Sequence, residues 1–203
     1  MTTWGIISGV DADAITRTLL MLGSRFHGQP LRVCEIGVCH GGTSRAIAEV
    51  CASHSIALEF WGVDNGRDQA AGAVCATVPP FPDAFMVIGD SAEVYMDVPE
   101  GLHFVFADGA HCLDHVCLDF LNFGDKLVVG GRIAFHDAAP RSQRKCDNQG
   151  HGRVDHPDFG TATLEALRKL GLMPMHRDDW MFVEHVYDPT IESAGIAVFE
   201  RIA

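Results

Sequence analysis

The chain has 203 residues, 47% of them hydrophobic, with a formal net charge of -12. That size fits one domain with a sizeable core, and that charge opposes a long nucleic-acid footprint. Its seven cysteines form no C-x-x-C pair, which argues against a disulfide framework or zinc knuckle and for a reducing, cytoplasmic setting. Met1-Thr2-Thr3-Trp4 has no secretory-signal character, and the apolar runs are strand-length, so no membrane span is expected.

Residues 11–26 carry Ile15, Leu19, Leu20, Leu22 and Phe26 at helical spacing, with Asp11 or Asp13 as a cap. Leu31 to Gly37 reads as a first buried strand, followed by a glycine-bearing turn and a helix from about Thr43 to Ser53. Leu58–Asp64 is a second strand, 68–77 a weak helix, and Phe85–Asp90 a third strand with a short helix near 92–96. His103–Asp108 is a fourth strand. The helix Leu113 to Leu127 carries Val116, Leu118, Phe120, Leu121 and Phe123 on or near its buried face, and Arg132–Asp137 is a fifth strand. A helix from Thr161 to Leu170 stops at Gly171, and two final strands, Trp180–Val186 and Gly195–Arg201, flank a turn at Asp188-Pro189.

Strands alternating with helices predict an α/β, Rossmann-like doubly wound sheet. It should be mostly parallel, with an antiparallel C-terminal edge strand, and residues 1–203 should form one domain. Ligands of such sheets bind outside the carboxyl ends of the strands. Glu35, Asp64, Asp90, Asp108 and Asp137 fall on that rim. The polar stretch 138–160 leaves the same rim and reads as a substrate lid. Its His151 and His156 are solvated loop residues on this reading. Trp61 and Trp180 are expected in the core.

The first turn reads Glu35-Ile36-Gly37-Val38-Cys39-His40-Gly41-Gly42-Thr43-Ser44. A dinucleotide fingerprint would need glycine where Cys39 stands, which disfavours a nicotinamide dehydrogenase. The E-x-G-x-x-x-G-G turn resembles that of class I S-adenosylmethionine (SAM)-dependent methyltransferases. On that resemblance Glu35, Gly37, Gly41, Gly42 and Thr43 face the cofactor. Asp64 can accept the ribose hydroxyls, Asp90 and Ser91 border the adenine, and Asp108 lies at the reacting end.

The stretch from Phe104 to Asp137 contains Asp108-Gly109-Ala110-His111, Asp119, Gly130-Gly131 and His136-Asp137. It resembles methyltransferases with D-G-x-H and H-D motifs, among them macrolide-sugar O-methyltransferases and cephalosporin-hydroxylase-like proteins. More distantly it is similar to the metal-dependent catechol and caffeoyl-CoA enzymes. The resemblance implies SAM-dependent O-methylation of a small-molecule hydroxyl. Catalytic His111 and Asp108 would act with a divalent ion, Mg²⁺ or Mn²⁺, held by Asp108, His136 and Asp137. The catechol-type asparagine position is Ala138 here, which cannot bind metal. His111 falls where those enzymes keep a catalytic lysine. Asp119 is assigned a structural role near His111.

Two rivals keep the fold. One is a non-heme-iron oxygenase using His111, His136 and a carboxylate. The other is a non-catalytic protein that binds SAM or its product. Expected partners are a small-molecule acceptor and a second copy in a homodimer, with no nucleic acid and no membrane.

Overall fold

The computed structural model describes residues 7–66, 83–139, 159–173, 177–190 and 195–203. The weak helix expected at 68–77 and most of the 138–160 segment, His151 and His156 included, lie outside the described residues. Within them the strands are β1 (Leu31–Ile36), β2 (Leu58–Asp64), β3 (Ala84–Ile88), β4 (Leu102–Ala107), β5 (Leu127–Phe135), β6 (Trp180–Val186) and β7 (Ile196–Arg201). The described helices are α1 (Gly9–Arg25), α2 (Gly42–Ser53), α3 (Ser91–Val94, continued as a 3₁₀ turn over Tyr95–Asp97), α4 (Leu113–Gly124) and α5 (Phe159–Lys169).

These strands form one seven-stranded sheet in the order β3-β2-β1-β4-β5-β7-β6. Strands β1 to β5 pair in parallel, and β7 runs antiparallel to both β5 and β6. This is the Rossmann-like, mostly parallel sheet the element order predicts, with its antiparallel strand at the C-terminal margin.

Side-chain alternation along the strands supplies two cores, one for each face. Leu31, Val33, Phe60, Phe104 and Phe106 meet Ile15, Leu19 and Leu22 of α1 and Ile47 and Val50 of α2. Cys34, Ile36, Val105, Ile133 and Phe135 meet Val116, Phe120 and Phe123 of α4 and Leu164 and Leu167 of α5. Truncating one of the large buried rings to alanine costs about 3–5 kcal/mol. Trp61 stacks on Phe85 and Trp180 packs on Phe120, so both indoles belong to the core.

Several boundaries differ from the sequence reading. The cap of α1 is Ser8, and Asp11 is its capping-box partner at the third position. The helix expected over Leu113–Leu127 stops at Gly124, and β5 begins at Leu127 rather than Arg132. Apolar Leu127, Val128 and Val129 extend the helical pattern, yet they belong to a strand whose register against β4 shifts between Leu102 and Phe104. Leu118 and Leu121 are 38% and 51% exposed. The buried stripe of α4 is Leu113, Val116, Phe120 and Phe123, spaced three or four apart. Helix α5 starts at Phe159, inside the segment read as loop, and ends as expected. Gly171, at φ 72, donates to the carbonyl of Arg168, and Leu172 donates to that of Leu167. That pair of bonds is a Schellman stop, which favours a residue without a Cβ.

Helix α1 is tied to β5 at both ends. Near its start Asp11 faces His136, just beyond β5, and at its end Arg25 donates to the carbonyl of Gly130 and to Glu200 of β7.

Candidate functional site

The parallel strands bring Glu35, Asp64, Asp90, Asp108 and Asp137 to one rim, at or just past the carboxyl ends of β1 to β5. The turn after β1 is held by close backbone contact. Gly37 donates to Val63, Asp108 donates to Ile36, and a Cβ on Gly37 would stand 2.2 Å from the carbonyl oxygen of Asp108. With φ 88 there as well, only glycine fits. Cys39 adopts φ 49, a left-handed conformation in which glycine would be ordinary. The turn therefore has a glycine-like backbone at the position where the dinucleotide pattern fails.

Asp64 secures this turn. Its Oδ2 accepts from the Cys39 amide at 2.8 Å and its Oδ1 from the Gly66 amide at 2.9 Å. Each oxygen keeps a further lone pair for a ligand hydroxyl. Gly41 caps α2, Gly42 is its first residue, and Thr43 is buried in its first turn. Glu35 lies beneath the turn rather than on its surface, 1% exposed and accepting from the Ser44 hydroxyl. Burial pushes its carboxyl up to about 8, against the Ser44 bond and with the charges of Asp108 and Asp64 adding to the rise.

Asp90 caps α3 by accepting from Ala92 at 3.1 Å. Ser91 donates to Asp119 at 2.6 Å, so the buried helix carboxylate bonds the first residue of α3 rather than the His111 region expected from sequence. Burial lifts Asp119 to about 7, opposed by the Ser91 bond and the nearby His115. His115 joins the same cluster, with Nδ1 3.1 Å from Cys112 Sγ and Nε2 3.6 Å from Asp90 Oδ2. Its contact with Cys112 raises it to about 9 against the effect of burial, helped by Asp90 and Asp119. Sequence reasoning missed Cys112 and His115, although their three-residue spacing at a helix start was available as a signal.

At the other half of the rim, Asp108, His111 and Asp137 each present a ligand atom, all within 4.8 Å of one another. His111 Nε2 lies 3.4 Å from Asp137 Oδ2 and 3.8 Å from Asp108 Oδ1. Asp137 is buried and sits at φ 51, a strained setting of the kind that collects at functional sites. His136 lies against this group, wedged between Asp108 and Asp11. Its Nδ1 faces Asp108 Oδ1 at 2.8 Å and its Nε2 faces Asp11 Oδ2 at 3.3 Å. Burial opposes its protonation, but Asp108, Asp11 and Asp137 outweigh it, and the imidazole is raised well above the ordinary histidine value. Ala138 is fully buried, and its amide donates to Gly195.

An acid rim over a doubly wound sheet with a glycine turn after β1 defines a class I SAM-dependent methyltransferase fold. Residues 34–138 match the family described as "Methyltransferase domain", and the chain belongs to that family of SAM-dependent enzymes. A comparison with curated proteins gives no sequence match. Among solved structures, it is similar to the O-methyltransferase TomG from Streptomyces achromogenes, involved in tomaymycin synthesis and bound to SAM. The TM-score is 0.66 at 14% identity, covering 97% of this chain and 82% of that one. An O-methyltransferase from Bacillus cereus in complex with S-adenosylhomocysteine (SAH) gives 0.67 at 10% identity, covering 96% and 82%. An rRNA methylase from Streptococcus thermophilus gives 0.62 at 10% identity, covering 98% and 99%. These likenesses establish a shared fold. Among the described residues no helix is long and apolar enough to cross a membrane.

Proposed function

We propose that the protein methylates a hydroxyl oxygen of a small acceptor, with SAM across the ends of β1 to β3 and the acceptor over β4 and β5. The observation that carries this reading is the convergence of Asp108, His111 and Asp137 within 4.8 Å, beside the turn anchored by Asp64. Gly37, Gly41, Gly42 and Thr43 line the methionine side. Asp64 accepts from the ribose, and Asp90 and Ser91 border the adenine. Glu35 supports the turn from below.

Two carboxylates are a donor set that suits Mn²⁺ or Mg²⁺ with water in the remaining positions. Asp108 and Asp137 would hold the ion, which when bound would polarise the acceptor oxygen as a Lewis acid. His111 takes the acceptor proton as the new carbon–oxygen bond forms and the sulfur–methyl bond breaks, leaving SAH. Positioning the two reactants in line supplies about 7–11 kcal/mol of the barrier.

The net charge of -12 supports a small acceptor over RNA. The iron-oxygenase rival needs His136 as a ligand, and both its ring nitrogens face carboxylates. Among the described residues Cys34, Cys51, Cys112 and Cys117 form no disulfide, which supports a reducing, cytoplasmic setting. A homodimer belongs to this reading and is checked by light scattering.

The test is calorimetric titration with SAH, with and without EDTA, on wild type and Asp64→Ala. Micromolar binding lost in the variant supports the cofactor site and leads to an acceptor screen with Mg²⁺ and Mn²⁺. Folded wild type that binds no SAH overturns the reading.

A further inference from the structure

We propose that Asp11 and His136 are positioning residues for the cation site, and that Asp11 acts on Asp108 through the His136 imidazole. The inference rests on the divalent-ion reading given above.

A capping-box acid is needed only to meet the amide at a helix start, and it ordinarily does so at the surface. Asp11 instead is 0% exposed, with His136 beside it at 8%. Burying a carboxylate this completely is costly unless it is paired. Its Oδ2 accepts from the Ser8 hydroxyl at 2.6 Å and the Ser8 amide at 3.2 Å, and His136 Nε2 stands 3.3 Å away on the same oxygen. The far side of the ring meets Asp108 Oδ1 at 2.8 Å. Asp137 Oδ1 lies 3.7 Å from the same Nδ1. The imidazole is thus wedged between a carboxylate of α1 and one that would hold the ion. Acting as a ligand itself, it would have to give up one of those partners.

Groups that orient a metal-binding carboxylate change ion affinity by about 10- to 100-fold when removed. The start of α1 therefore sets the angle at which Asp108 meets the cation, although α1 contributes no ligand.

The experiment titrates wild type, Asp11→Ala, Asp11→Asn, His136→Phe, Ser8→Ala and the Asp11→Ala/His136→Phe double variant with Mn²⁺ alone and, separately, with SAH. Asp11→Ala and His136→Phe are expected to weaken Mn²⁺ at least about tenfold, and the double variant no more than His136→Phe. Asp11→Asn keeps an amide that can bond the ring and recovers most of the loss. Ser8→Ala removes one of the bonds to Asp11 but leaves the carboxylate facing the ring, so it weakens Mn²⁺ less than Asp11→Ala does, and SAH affinity stays constant throughout. Wild-type Mn²⁺ affinity in Asp11→Ala overturns the inference, as does an equal loss in Ser8→Ala or no recovery in Asp11→Asn. If Asp11→Ala does not fold, His136→Phe against Ser8→Ala carries the same decision. A wild type that binds SAH but no Mn²⁺ overturns this inference together with the ion assignment, and leaves the cofactor reading standing.

Discussion

The hydroxyl of Ser91 donates to the carboxylate of Asp119 across 2.6 Å, joining the start of α3 to the middle of α4. Asp119 is 2% exposed and Ser91 half-buried, so removing Ser91 leaves a buried carboxyl short of a partner, at a cost of about 1–3 kcal/mol. Asp119→Ala should lower the melting temperature and weaken SAH about three- to tenfold, because Ser91 loses its anchor. Ser91→Ala should do the same, and the double variant should add little. Calorimetry on the four proteins checks this, and full additivity would show that the two residues act separately.

Asp64 works on both protein and ligand. Its oxygens hold the amides of Cys39 and Gly66 while facing the ribose position. Asp64→Asn can keep one of those bonds, whereas Asp64→Ala keeps neither. SAH binding should fall in the order wild type, Asn, Ala, with Ala at least about 100-fold weaker, roughly 2.7 kcal/mol. Equal affinity in all three would remove Asp64 from the cofactor site.

Gly37→Ala should be among the most damaging small substitutions in the chain. The new methyl carbon would stand 2.2 Å from the Asp108 carbonyl, at a backbone φ of 88. Strain and clash together should cost at least about 3 kcal/mol. The expected result is a large drop in melting temperature or failure to fold. A melting point within a few degrees of wild type would contradict the close approach of β1 and β4.

Stability should increase as pH falls through the neutral range. Glu35 titrates at about 8 in the fold against an ordinary 4.5, and Asp119 at about 7 against 3.8. In between, the folded chain holds protons that the unfolded chain has lost. The stability each contributes is complete below the ordinary carboxylate range and lost as pH rises through 7 and 8. Thermal melts should therefore give a higher midpoint at pH 6 than at pH 9. Glu35→Gln should flatten the upper part of that profile, and an unchanged profile in that variant would assign the effect to other groups.

The order of elements and the acid rim were legible because each strand is a short apolar run ending in an acid or glycine, a local signal. Asp64, Asp108 and Asp137 could be placed from such runs alone. The contacts among them could not. Nothing local in Asp11 distinguishes a capping acid from one that also reaches His136, since that meeting spans 125 positions along the chain. The pairing of Asp119 with Ser91 was hidden for the same reason. Its helix spacing signals a buried face but not what that face meets. The start of β5 is ambiguous in the sequence because Leu127-Val128-Val129 fits both periods, and the irregular register at Leu102 and Phe104 is fixed by the neighbouring strand.

The position of β7 between β5 and β6 bears on how the chain assembles during synthesis. Strand β6 emerges first, but its hydrogen-bonding partner is β7, which follows it in sequence. Until Ile196 to Arg201 have left the ribosome, β5 keeps an open edge and β6 has no ladder to join. The parallel half of the sheet can close early, while the C-terminal half must wait. A nascent chain stalled before Ile196 would expose two unpaired strand edges, which are sites for aggregation and chaperone capture.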